Sequence, residues 1–275
     1  MSKLRIGVIG AGKIAREHIK VIKKIKDFSI VGITSRTTKK AKKIADEFGI
    51  QKVFDNIDQL MTIPNLNGIM ILVSADNIFK VTKKLIPFRV PIFLEKPPGL
   101  SATETKVLLN LSKKYKTKNM VGLNRRFYSV FHKGLDIIKK KGKLLGVFIE
   151  GHERFWLLKK QKQRSILNKW LFANSIHTID LLPFFGGKIK YVSKFKNSFK
   201  ERKGDQFSCI TKFENGAIGT YISNWYSPGG WKIKLFGDKK TVVFDPLEKG
   251  YWIDKNFSKK KINPSKYDII YKPGF

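Results

Sequence analysis

Residues 7–15 read Gly-Val-Ile-Gly-Ala-Gly-Lys-Ile-Ala, so Gly10, Gly12 and Ala15 stand at the spacing G-x-G-x-x-A. The position of this loop constrains the chain more than any other feature. It follows directly on Leu4 to Ile9, a near-continuous apolar run of the kind a strand buried on both faces requires. Next comes an amphipathic stretch, with Ile14, His18, Ile22 and Ile25 near helical spacing on one side. Between a strand and a helix, the first glycine permits a tight turn and the second lets backbone approach a pyrophosphate. The small third residue lets helix and strand pack closely. Phosphate then rests on the free amides and positive dipole end of the helix. Ala11, Lys13 and Ile14 complete a loop expected to hold a dinucleotide.

The end of the second strand bears on which dinucleotide that is. An acidic residue there bonds the adenosine ribose hydroxyls and repels a 2′-phosphate. Here the chain reads Ile33-Thr34-Ser35-Arg36-Thr37-Thr38-Lys39, without a carboxylate. Ser35 offers a hydrogen bond and Arg36 a phosphate partner, which favours NADP over NAD. The alternative is that Arg36 and Lys39 merely face solvent at a helix start.

The strand-helix rhythm continues. Phe28 to Thr34 reads as a strand, Lys39 to Phe48 as a helix, Val53-Phe54 and Gly68 to Val73 as strands, and Asn77 to Leu85 as a helix. Pro91 to Leu94 is a strand ending at Glu95-Lys96-Pro97. Ser101 with Glu104 forms a capping box before a helix to about Tyr115, and Met120 to Leu123 is a further strand. This alternation predicts a doubly wound parallel sheet over residues 1–123. After Asn124 period-two alternation replaces it. Leu145 to Phe155 reads as a strand and Trp170 to Phe185 as a helix. Strands follow at Ile189 to Phe195, Gln206 to Phe213, Ala217 to Trp225, Lys232 to Phe236 and Thr241 to Phe244, with Asn215-Gly216 as a hairpin turn. A second, α+β domain over residues 124–275 is expected, with an open, mainly antiparallel sheet and helices on one face.

A length of 275 residues and 42% apolar content suit two domains with sizeable cores. One cysteine, Cys209, excludes an internal disulfide framework and a cysteine-based zinc site; no metal is expected. No stretch approaches the roughly 18 apolar residues of a membrane span, and the opening lacks a signal-peptide pattern, so a cytoplasmic protein is expected. The net charge of +35 is spread through the chain in groups such as Lys39-Lys40, Lys83-Lys84 and Lys259-Lys260-Lys261. Such spreading reads as solvated surface with weak polyanion attraction, not as a specific nucleic-acid face.

Four features, in order, resemble the Gfo/Idh/MocA family of sugar and cyclitol oxidoreductases. They are the Gly10 loop, the triplet Glu95-Lys96-Pro97, the run Gly122-Leu123-Asn124-Arg125-Arg126-Phe127, and Ile176-His177-Thr178-Ile179-Asp180. The resemblance implies that Lys96 reaches nicotinamide and substrate across a constrained Lys-Pro peptide, and that Glu95 and Ser74 lie by the cofactor. It also implies that Lys96 and His177 manage the proton of a hydroxyl or carbonyl while Asp180, on the same helix face, orients the site. Asn124, Arg126 and Asn174, with Lys96 and His177, are the expected contacts of a small-molecule sugar, cyclitol or nucleotide-sugar substrate. His18, His132 and His152 are read as structural or surface residues.

Two departures stand out. Members with a well-defined alcohol dehydrogenase site often carry an aspartate one turn before the histidine, where this chain has Ala173, and many relatives have a histidine in place of Phe79. The closing run Tyr271-Lys272-Pro273-Gly274-Phe275 tends in relatives to precede a final helix, so a shortened second domain or a cut chain is expected. A catalytically lapsed NADP-binding sensor or assembly protein is therefore the main rival reading; a nucleic-acid binder rests on charge alone. Aromatic residues on the second sheet suit a homodimer or homotetramer interface, or else ordinary core.

Overall fold

The computed structural model describes residues 3–140, 142–161 and 164–275. Two compact units result, one reaching Leu123 and including Phe275, the other spanning Asn124–Gly274.

In the first unit β1 (Leu4–Ile9), β2 (Phe28–Thr34), β3 (Val53–Phe54), β4 (Gly68–Ile71), β5 (Ile92–Glu95) and β6 (Asn119–Gly122) form one sheet. Its order is β3-β2-β1-β4-β5-β6 and all neighbours are parallel. Burial on both faces explains the apolar runs: all four residues of β4 are buried, as are Val8 and Ile9 of β1. The chain leaves β1 towards β2 on one side and later returns to β4 on the other. The loops after β1 and β4 therefore part and open a crevice at the carboxyl ends of the strands.

Between the strands run α1 (Lys13–Ile22), α2 (Thr38–Phe48), α3 (Ile57–Met61), α4 (Ala75–Leu85) and α5 (Ala102–Tyr115). Helix α1 stops at Ile22, so Ile25 lies beyond it and is exposed. Ala15 and Ile19 are its buried residues. Ala15 is fully enclosed, which is the close packing that the third small residue of the loop provides. Ser101 Oγ accepts from the Glu104 amide at 3.1 Å, and Glu104 Oε2 accepts in return from the Leu100 amide at 2.6 Å. The reciprocal bond reaches one residue before the cap, a small variation on the expected box.

In the second unit β7 (Leu144–Gly151), β8 (Ile189–Asn197), β9 (Gln206–Phe213), β10 (Ile218–Asn224), β11 (Trp231–Gly237), β12 (Lys240–Phe244), β13 (Gly250–Ile253) and β14 (Lys259–Ile262) form a sheet ordered β14-β13-β12-β11-β7-β10-β9-β8. Every pairing is antiparallel except β7 with β10. One face, carrying Ile149, Tyr221, Ile233 and Phe244 in cross-strand register, packs against α6 (Ser129–Lys139) and α9 (Ile176–Gly186) through Phe131, Leu181 and Phe185. The other face exposes Tyr191, Phe195, Ile210, Ile218 and Phe236.

Several boundaries differ from the sequence reading. Strand β7 ends at Gly151, whose carbonyl accepts from Ser223 Oγ, and Phe155 instead opens α7 (Phe155–Gln161), its ring stacked on Trp225 at 4.8 Å. Helix α8 (Arg164–Leu167) follows. The expected helix from Trp170 to Phe185 is a π-helical turn, Leu171–Ser175, running into α9. Helix α6 and strands β13 and β14 were not anticipated, nor was the short α10 (Lys266–Ile270). No helix among the described residues is long and apolar enough to cross a membrane.

Candidate functional site

The crevice in the first unit is a cleft of about 480 Å³. Gly10, Ala11, Gly12, Ser35, Arg36, Thr37 and Lys40 line it from the β1 and β2 ends, and Asp55, Asn56, Asp58, Ser74 and Asn77 from the β3 and β4 ends. The two loop glycines are there for different reasons. Gly10 has φ +115°, and a Cβ on it would lie 2.3 Å from the Leu72 carbonyl oxygen, so the turn itself excludes a side chain. Gly12 has an ordinary φ of −87°, and a Cβ there would meet nothing within 4 Å. The protein's own packing gives no reason for glycine at position 12; room for a ligand against the backbone does. Gly12 is also the N-cap of α1 and provides no side-chain cap, so no side chain of the cap occupies the first-turn amides. These features fit a dinucleotide diphosphate.

Around the cleft, Ser74 Oγ accepts from Asn77 Nδ2 at 3.0 Å. The Ser74 hydroxyl beside Asp76 holds that carboxyl below its usual range, with a smaller contribution from the Arg36 charge. Lys84 pairs with Asp58 at 2.6 Å. Of the expected cofactor residues, Gly10, Ala11, Gly12, Ser35, Arg36 and Ser74 line this cleft. Lys13 is exposed and Ile14 packs partly into the core, so only their first-turn backbone is placed for a phosphate. Thr37, Lys40, Asn56 and Asn77 also line the cleft and are not marked as cofactor contacts by the sequence: Thr37 and Asn56 come just after β2 and β3, and Lys40 and Asn77 in the first turns of α2 and α4.

Glu95 and Lys96 sit at the carboxyl end of β5 outside that lining, with the Lys96–Pro97 peptide cis. Glu95 is buried and already engaged: Oε1 meets His18 Nε2 at 2.8 Å and Oε2 accepts from the Lys96 amide at 3.2 Å. His18, edge-on to Phe93, thus steadies the carboxylate that precedes the lysine.

In the second unit His177 is buried near the start of α9, its ring 6.1 Å from that of Trp231. Arg125 lies over the same indole, its Cζ 4.5 Å from the ring centroid. Its Nε is buried without a hydrogen-bond partner among the described residues. Burial draws the Arg125 guanidinium below its ordinary pKa, against the opposing pull of Tyr128, Glu248 and Glu153.

Arg126 and Asp180 pair with each other. Arg126 donates from Nε at 2.7 Å and from Nη2 at 2.5 Å to the two Asp180 oxygens, a bidentate pair that raises the guanidinium pKa further. The pair joins the 3-10 turn Asn124–Phe127 to α9. Asn124 likewise spends its amide on the Pro273 carbonyl at 3.0 Å. Asn174 donates to both oxygens of Glu153, a residue the sequence reading did not single out. Ala173 is buried in the turn before α9. Among the described residues no group of three or more His, Cys, Asp or Glu is placed to hold a metal ion.

Comparison with known proteins gives two family matches. The model described as "Oxidoreductase family, NAD-binding Rossmann fold" matches residues 4–123, and the "GFO/IDH/MocA C-terminal domain" matches residues 149–243. The uncharacterized oxidoreductase YrbE of Bacillus subtilis is 26% identical over 253 residues, covering 87% of this chain and 73% of its own. Myo-inositol 2-dehydrogenase of Thermotoga maritima is 25% identical over 130 residues, 47% of this chain and 39% of its own. The crystal structure of an NAD binding oxidoreductase from Klebsiella pneumoniae superposes with a TM-score of 0.83 at 16% identity, covering 100% of this chain and 83% of that one.

Proposed function

Because the chain belongs to the Gfo/Idh/MocA oxidoreductase family, we propose that it moves a hydride between a nicotinamide nucleotide, NADP in preference to NAD, and a hydroxyl or carbonyl carbon of a sugar, cyclitol or nucleotide-linked sugar. The observation that carries this reading is Gly12, a helix N-cap with ligand room and no packing reason to be glycine, at the switch point of the sheet. The inositol dehydrogenase of Thermotoga maritima supports a polyol substrate. Residues 1–123 serve as the nucleotide-binding domain and residues 124–275 as the substrate and assembly domain.

When bound, the nicotinamide ring supplies or accepts the hydride. Within this reading the chain's own groups handle the rest. Gly10, Gly12 and the first turn of α1 hold the diphosphate, Ser35 and Arg36 face the adenosine end, and Lys96 and His177 give or take the hydroxyl proton. Arg125, desolvated on Trp231, is the arginine of its pair that faces substrate. Arg126 and Asp180 fix the frame behind it. The apolar face bearing Tyr191, Ile210 and Ile218 supports a homodimer or homotetramer.

Calorimetric titration with NADPH and NADH tests the reading. NADPH is expected to bind more tightly. Arg36→Ala should weaken NADPH by about 10- to 100-fold, one charge-assisted contact, and leave NADH nearly unchanged. Binding of neither nucleotide to the folded protein would remove the electron carrier and the proposal with it. A screen of carbonyl sugars with the preferred nucleotide then identifies the substrate.

A further inference from the structure

The second unit contains a buried carboxylate that the roles above leave unused. Glu153 follows β7 and is 5% exposed. Its oxygens accept from Asn174 Nδ2 at 3.2 Å each, and Oε1 accepts from Ser175 Oγ at 2.9 Å. Asn174 and Ser175 are the last two residues of the π-helical turn, and His177 comes two residues later. Ser175 is itself fully buried. Withdrawing a carboxylate from water is expensive, and a neutral amide of the same shape would brace the turn without that expense. The negative charge therefore calls for a use of its own. Its field is felt by its neighbours: it opposes the desolvation of Arg125 and adds to the burial that pushes Tyr221 up to about 12.

We propose that Glu153 is the positioning carboxylate of His177: it clamps the turn that aims the imidazole, and its charge favours the imidazolium. When a substrate hydroxyl gives up its proton, the O–H bond breaks, an N–H bond forms on His177, and the positive charge appears two residues past a turn braced by a carboxylate already desolvated and hydrogen-bonded to Asn174 and Ser175. A carboxylate fixed in this way stabilises the ion without reorganising. This rests on the proposed role of His177 and adds a residue that acts through it.

The test is the titration of the His177 ring followed by ¹⁵N NMR in the full-length protein, wild type against Glu153→Gln. Loss of the charge should lower the His177 pKa by about one unit and reduce turnover of the identified substrate by at least about tenfold, with nucleotide affinity unchanged. A merely structural Glu153 would lower the melting temperature and leave the titration where it was. Should Glu153→Gln not fold, Glu153→Asp draws the carboxylate back by one methylene and should move the titration the same way by less. A His177 that titrates identically in wild type and variant, or in neither, overturns the proposal. Because the titration needs no nucleotide and no substrate, a protein that fails to bind nicotinamide nucleotides would defeat the oxidoreductase reading separately.

Discussion

Gly12→Ala is expected to weaken nicotinamide-nucleotide binding by about one to two orders of magnitude, the worth of one or two hydrogen bonds to a charged diphosphate, while unfolding close to the wild-type temperature. The backbone at Gly12 is in a region open to any residue, and a methyl there would touch no protein atom within 4 Å. At an N-cap, alanine in place of glycine changes stability by no more than about 1 kcal/mol. The methyl would instead occupy the space a pyrophosphate must enter. Gly10→Ala should behave in the opposite way. With φ at +115° and a Cβ 2.3 Å from the Leu72 oxygen, the turn must deform, at about 2 kcal/mol or more. Calorimetry and thermal melting on the pair separate the two roles. Equal affinity in Gly12→Ala and wild type would mean that the loop is a structural turn alone.

What could be read from the sequence was what is local. Strands β1 and β2 begin and end where their apolar runs do, because the later part of each, Ile6 to Ile9 and Gly32 to Thr34, is buried on both faces and no pattern competes. The hairpin at Asn215-Gly216 was equally readable: Gly216 takes a φ of +88°, and the Phe213 amide donates to the Ala217 carbonyl. Helix α6 was hidden by composition. Val130, Phe131, Gly134 and Ile138 lie at helical spacing and are buried, but a glycine in mid-run weakens the helix signal and Val130, Phe131, Ile137 and Ile138 favour strands. Strand β14 was hidden for another reason. At the sheet edge only Ile262 is buried, and Lys259, Lys260 and Lys261 give no alternation to detect. Lysines there discourage a further strand from pairing.

The site divides along the same line. The glycine loop and the Ser35-Arg36 pair stand out in the sequence because one short segment carries the whole signal, and both line the cleft. By contrast, the choice between Arg125 and Arg126 depends on Trp231 and Asp180, which lie far along the chain, and no periodicity encodes which arginine turns to which partner. Glu153 escaped notice because its meaning resides in Asn174 and Ser175, 21 and 22 residues away, not in its own surroundings.

Lys96→Met should lower turnover by about two to four orders of magnitude, the range of a positioned proton donor or acceptor, while nucleotide affinity stays within a few-fold of wild type. Methionine keeps most of the length and apolar bulk of lysine and removes the ammonium alone. The local frame should survive the change, since it depends on backbone and neighbours: the Lys96 amide donates to Glu95 Oε2, Glu95 Oε1 is held by His18, and Pro97 is buried. Lys96→Arg distinguishes two ways in which the cation could serve. If a fixed positive charge near the reacting oxygen suffices, arginine restores much of the rate; if the group must release and regain a proton, it does not, because a guanidinium stays charged at any working pH. The proton-transfer role therefore predicts that both variants are slow, the charge-only role that methionine alone is slow. Wild-type turnover in Lys96→Met would exclude both, and the search for the proton's carrier would turn to His177.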